Sequence, residues 1–398
     1  MTTYAPPNTV HGRESAAGWA AWRAGRGRFA PAPVLSATEY RALPERERIL
    51  HDLHRAATHA NLPIVETPMS AAVARAMWTR IQSGALKAGP ATRPGLMISG
   101  GGYQGKTETA CEVAARFEEQ WLALHRHLNP AAIPGTRDLH APVGYVQTPV
   151  TATPKSICQA ILNFYGAPLS KHSTLPQLVH AVRTSLHDHG TRVLILDDIT
   201  RLRMHREPDQ DALDLIRSLM SMNVTLVLIG VGIRTAGLLG EGRARTTTAA
   251  HAGHEAATQT QRRFDLVELD RFRYDTPAQI AAWVAHLAAM EAHLRLFDAQ
   301  PGMLSEGAMP EYLFRRTGGV VGLLERLIED ACGAAIETGT EKITAGLLDD
   351  LELDLGSCAG REAAAGEIPQ VPPARTGRAR KARNTVFDDQ GPARARTR

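Results

Sequence analysis

The chain has 398 residues, 43% of them hydrophobic and only 5% aromatic, with a formal net charge of +4. That length exceeds a single core of about 250–300 residues, and the apolar fraction can bury a real core, so two packed units with tails are expected, filled by Ala, Leu and Val. The charge is concentrated: residues 371–398 hold eight basic residues against two acids, which puts +6 there, leaves −2 on the remainder and excludes a uniformly basic folded surface.

The four cysteines (Cys111, Cys158, Cys332, Cys358) are scattered without a C-x-x-C pair, so neither a zinc site nor a disulfide framework is signalled, and a reducing cytosol is the expected home. The opening "MTTYAPPNTVHGRES" lacks the apolar stretch of a signal peptide. The longest strongly apolar run, near "VTLVLIGVG", falls far short of the ~20 residues of a membrane helix. A soluble, cytoplasmic chain with no membrane partner is expected.

Residues 1–35 are rich in Pro, Gly and Arg and read as a flexible segment. A helical lead-in follows over 36–90. Ser36 or Thr38 can cap its first helix, and "MSAAVARAMWTRIQSGAL" (69–86) is its second. An αβ unit is expected over 91–272. Its strands are "GLMIS" (95–99), "PVGYVQTPV" (142–150), "RVLILDDIT" (192–200) and "VTLVLIGVG" (224–232). Between them stand helices. The first, 106–125, lines up Ala110, Val113, Ala114, Phe117, Trp121 and Leu122 on one face; the next two close at Gly166 and Gly190. Continuous apolar strands alternating with helices imply a parallel sheet covered on both faces. Residues 240–261 are polar and low in complexity and read as a loop; their His251-x-x-His254 spacing has no third ligand nearby. From 273 to 355 the pattern is purely helical, and 356–398 reads as a disordered basic tail. No internal repeat is visible.

The stretch Gly100-Gly101-Gly102-Tyr103-Gln104-Gly105-Lys106-Thr107 fits G-x-x-x-x-G-K-[ST] where a strand ends and a helix starts. Glycines let the backbone turn its N–H groups around phosphate oxygens, and the following helix adds its positive end. Lys106 reaches the β- and γ-phosphates of ATP, and Thr107 supplies an oxygen to Mg²⁺. The expected contacts extend to Glu108. The second half of such a site is an acid at the tip of another buried strand, and Asp197 in "RVLILDD" supplies it as a Mg²⁺ partner. Asp198 stands where a Glu would orient the attacking water. Its carboxylate sits about 1.5 Å further back, and misplacement of that size costs about 10²-fold in rate, so hydrolysis is expected to be slow.

Together these loops, the "VTLVLIG" strand and the helical C-terminal unit resemble an AAA+ ATPase: a P-loop three-layer αβα sandwich with a parallel sheet, followed by a small all-helical lid. Within that class the chain resembles the TniB/TnsC/MuB-like regulators of DNA transposition, and more loosely the Orc1/Cdc6-type ATPases. "EYRALPERERILHDL", "GLMISGGGYQGKTETACEVAARF", "QRRFDLVELDRF" and "RRTGGVVGLLERLIEDACGAAIETGTEKITAGLLDDL" carry the likeness, over roughly residues 36–355. The resemblance implies a homo-oligomeric ring or filament on double-stranded DNA, read without sequence preference, with a transposase as partner. It implies that Arg262 or Arg263 reaches a neighbouring subunit's nucleotide, and that the lid's sensor arginine is Arg316 or Arg326. The basic stretch "RLRMHRE" offers Arg201, Arg203 and Arg206 to DNA phosphates. A STAND/NB-ARC-like switch and a helicase or replication loader remain alternatives.

Overall fold

A computed structural model of the chain describes residues 12–131, 141–150, 152–170, 172–201, 209–233 and 263–351. The four apolar runs form parallel strands β1 (Gly95–Gly100), β2 (Val143–Gln147), β3 (Val193–Asp197) and β4 (Thr225–Val231). Nearly every residue in them is buried, because helices cover both faces of the sheet. A fifth strand, β5 (Phe264–Glu268), was not evident from the apolar pattern. It is an edge strand, buried only at Phe264 and carrying Asp265 and Glu268, so it lacks the continuous apolar signature of a central one.

The sheet order is β2-β3-β4-β1-β5. Leu96 pairs with Val227 of β4 on one side and Asp265 of β5 on the other. The chain leaves β1, skips two strands to reach β2, and then steps back through β3 and β4. Right-handed crossovers in opposite directions place helices on opposite faces. Accordingly α4 (Pro68–Ala85) and α5 (Lys106–Leu128) pack together on one face, against β1. The other face carries α6 (Pro154–Phe164), α7 (Leu175–Asp188) and α8 (Asp209–Met220), with α6 against β2 and α8 against β4. Thr-Pro pairs open α4 and α6: the threonine accepts from the backbone of the third helical residue, and proline fills the first position, which needs no N–H.

Beyond the sheet, α9 (Pro277–Glu291), α10 (Met309–Thr317), α11 (Val321–Glu337) and α12 (Ala345–Asp349) enclose a second apolar cluster around Trp283, Leu287, Leu324, Leu327 and Ile328. The lead-in divides between the two cores. Whereas α4 lies on the sheet, the short α2 (Ala37–Ala42) leads into α3 (Glu45–Ala60), which contacts α11. The buried face of α3 is polar: His51, His54, Arg55, Thr58 and His59. Arg55 is 1% exposed, pairs with Asp52 and Glu341, and stacks 4.2 Å above the Phe297 ring. His59 Nε2 accepts the Arg295 amide at 2.9 Å.

Residues 12–35, whose composition reads as flexible, contain α1 (Ala16–Gly25), capped by Ser15 and anchored by a buried Trp19. The Trp19 indole donates to Glu118 of α5 at 2.6 Å, and Arg23 pairs with the same carboxylate at 3.1 Å.

Candidate nucleotide-binding site

β1 delivers the chain to the carboxyl edge of the sheet, where the phosphate loop begins. Gly105 has φ +78, a left-handed turn that a side chain would strain, and it starts α5 without any side-chain cap. The first amides of α5 therefore point into the loop with their hydrogens uncommitted to a capping side chain, the arrangement that suits an anion. Lys106 is 8% exposed and donates to the Gly101 carbonyl across the loop. Burial pushes its pKa down, while Asp197 and Asp198 push it back up. Within the loop, Gln104 has a buried side-chain oxygen with no hydrogen-bond partner.

Next to the loop stands the end of β3. Asp197 is buried, and its two carboxylate oxygens are differently engaged. Oδ1 accepts the Asp198 amide at 2.8 Å; Oδ2 accepts both the Thr107 hydroxyl and the Tyr145 hydroxyl, each at 2.8 Å. A hydroxyl and a carboxylate held together beside a phosphate loop form the hard-oxygen pair that Mg²⁺ prefers, so the residues present fit that ion. Asp198 takes a left-handed backbone, φ +54, and Gln147 reaches its Oδ2 at 3.4 Å.

The helical unit touches this loop directly. The Gly322 amide donates to the Tyr103 carbonyl at 2.9 Å, and a Cβ at Gly322 would come within 2.8 Å of that oxygen. Tyr103 itself has φ +58 and an exposed ring.

Gly100 to Glu108, Asp197 and Asp198 thus share one edge of the sheet. Arg263 does not join them. Its carbonyl accepts the amide of Gly95 at the opposite end of β1, roughly 17 Å away along the strand at ~3.3 Å per residue. Of the other expected residues, Arg262, Arg203 and Arg206 lie outside the described residues, as do His251 and His254; Arg201 ends a short 3₁₀ turn, Ile199–Arg201, after β3. Arg316 is committed to the Leu348 and Leu351 carbonyls, and Arg326 faces Asp330 at 3.8 Å on an exposed helix surface. Tyr145 was not singled out by its sequence context, where it reads as one more apolar strand residue. The available signal is that a buried tyrosine hydroxyl needs a partner.

A family model described as an AAA domain matches residues 92–235, the span that holds the phosphate loop, Asp197 and Asp198. The fold is that of a P-loop AAA+ domain. Among solved structures, the ORC1 protein of Aeropyrum pernix in complex with DNA overlays on 74% of this chain and 67% of its own, with 16% identity and a TM-score of 0.49. Cdc6p from Pyrobaculum aerophilum covers 74% of each chain at 13% identity and a TM-score of 0.46. ORC2 of Aeropyrum pernix, as ADPNP and ADP complexes, covers 71% of this chain and 68% of its own at 14% identity and a TM-score of 0.46. No curated protein sequence matches the chain. Among the described residues of the AAA+ domain and its flanking helices, none forms a helix long and apolar enough to cross a membrane.

Proposed function

We propose that the protein is an ATP-dependent, DNA-binding AAA+ ATPase that regulates DNA transposition by assembling on DNA under nucleotide control. The observation that carries the nucleotide reading is the contact between Thr107 and Asp197 beside the buried Lys106 ammonium. Lys106 and the α5 amides hold the β- and γ-phosphates. Thr107 and Asp197 would hold Mg²⁺, which would supply positive charge to offset that of the phosphates. Asp198 holds and orients the attacking water. Arg262 or Arg263 stabilises the transferring phosphoryl group of a neighbouring subunit, a role supported by the distance of Arg263 from its own subunit's loop. ATP then acts as the glue of a homo-oligomer, and slow hydrolysis loosens it. Arg201, Arg203, Arg206 and the basic tail neutralise DNA phosphates without reading bases. The transposase partner rests on the resemblance to TniB/TnsC-like proteins.

Co-sedimentation of the purified protein with long random-sequence duplex tests this reading. ATP-dependent pelleting, lost with ADP, is the expected result. Pelleting that ignores nucleotide would leave only the basic tail speaking for DNA and would favour a nucleotide-exchange switch.

A further inference from the structure

The nucleotide reading does not account for the N-terminal residues that converge on the same site. Arg13 forks onto Glu108, with Nη1 to Oε2 at 3.1 Å and Nη2 to Oε1 at 2.8 Å. Glu108 lies in the first turn of α5, beside Thr107. The same guanidinium stands 5.5 Å from the Tyr145 ring and 5.1 Å from the Trp22 ring. Tyr145 in turn holds Asp197 Oδ2. Further along, Arg26 pairs with Glu112 at 2.9 Å and Glu119 at 3.1 Å, and Trp19 and Arg23 share the buried Glu118. An arginine row on the N-terminal segment therefore meets a glutamate row on the helix that follows the phosphate loop.

A carboxylate that serves a cation must keep its plane fixed. The Asp198 amide fixes Oδ1. Thr107 and Tyr145 both fix Oδ2. A cation would take a lone pair of the Thr107 oxygen and leave its proton on Oδ2, so Tyr145 is the second of two donors there and the one that ligates nothing. Arg13 packs on the face of the tyrosine ring and ties it to Glu108.

We propose that residues 13–26 are an intramolecular strap that fixes the Mg²⁺ end of the nucleotide site, with Tyr145 the positioning residue for Asp197 and Arg13 the positioning residue for Tyr145 and Glu108. The inference rests on the nucleotide-binding reading above. The strap also reaches the helical unit. Beyond α1, the Ala30 carbonyl meets His54 at 2.8 Å, the Ala32 amide donates to Thr58 at 2.8 Å, and Arg295 donates to the Ala32 carbonyl at 2.8 Å. One continuous segment thus links the metal end of α5 to α3 and the helical unit. Reciprocity follows: whatever the docked strap adds to Mg²⁺–nucleotide affinity, bound Mg²⁺–nucleotide returns to strap docking.

The test titrates a fluorescent ATP analogue into the full chain, in excess Mg²⁺ and in EDTA, for wild type, Tyr145→Phe, Arg13→Ala and the double variant. Each single change is expected to lose about tenfold in the Mg²⁺-supported affinity, as for partners that orient metal ligands. Affinity in EDTA should stay within about twofold, and the double variant should be no worse than the weaker single, since the two residues act in series. Hydrogen exchange over 13–26 of the wild type should slow with Mg²⁺ and nucleotide together and not with nucleotide in EDTA. Variants that match wild type in Mg²⁺, equal losses in both buffers, or exchange indifferent to Mg²⁺–nucleotide would each overturn the strap while leaving nucleotide binding intact. A wild type that binds no nucleotide in either buffer would remove both readings.

Discussion

Lys106 illustrates how one side chain is held ready at a cost. Its charge is largely withdrawn from water and rests on a backbone carbonyl of its own loop. A phosphate offers a stronger, charge-assisted partner. Lys106→Ala is expected to weaken nucleotide binding by about a hundredfold or more, measured by equilibrium titration. Asp198→Asn should bind nucleotide like wild type and lose about a hundredfold in single-turnover hydrolysis, leaving assemblies that form and do not dissolve. Disassembly at the wild-type rate in that variant would remove the role from Asp198. The loop and Asp197 are legible in the sequence because glycine, lysine and threonine stand in a fixed local order and the acid ends an apolar run. Tyr145, Arg13 and Gly322 are not legible, because their partners are remote: Arg13 meets Glu108 across 95 positions of chain. No local pattern encodes such a contact.

Among the elements, those driven by continuous apolar burial were readable and those driven by polar contacts were not. β1 to β4 announce themselves; β5, with Asp265 and Glu268, does not. α1 is hidden in a segment rich in glycine and arginine, and α3 buries histidines and an arginine where an apolar stripe would be sought. The Glu118 carboxyl that α1 covers carries a pH dependence of its own. Burial raises the Glu118 pKa to about 7 from an ordinary value of 4.5. Between those values the carboxyl of the folded protein holds a proton that the unfolded one has lost. The contribution of this group to stability is therefore fully present below about 4.5 and is lost as pH rises towards 7, with Arg23 and Trp19 opposing the shift. Glu118→Gln should remove that loss, read as the difference in Tm between wild type and variant at pH 5 and at pH 7.5.

For the whole molecule the acid limb has the opposite sign. Burial lowers the pKa of His59 and of His286 to about 4, and for His59 the charges of Arg55 and Arg295 add to the effect. Ordinary histidines titrate near 6.5, so the unfolded chain takes up protons that these two refuse. The contribution of these two histidines to global stability is then constant above about pH 6.5, falls between 6.5 and 4, and levels off below. His286 also leaves both ring nitrogens without partners beside the Phe272 ring. His286→Leu should be neutral or stabilising at pH 7 and should soften the acid loss, read as Tm against pH. Unchanged acid sensitivity would assign that loss to other groups.

The strand order also governs when the molecule can come into being. β1 is made early, yet its two neighbours arrive late: Leu96 waits about 130 residues for Val227 and about 170 for Asp265. During synthesis an apolar strand with two open edges must therefore be sheltered until most of the chain has left the ribosome. Folding of so non-local a sheet is slow by nature. A chain cut short before residue 264 would leave one side of β1 permanently open, and such a fragment should aggregate rather than accumulate as a smaller domain.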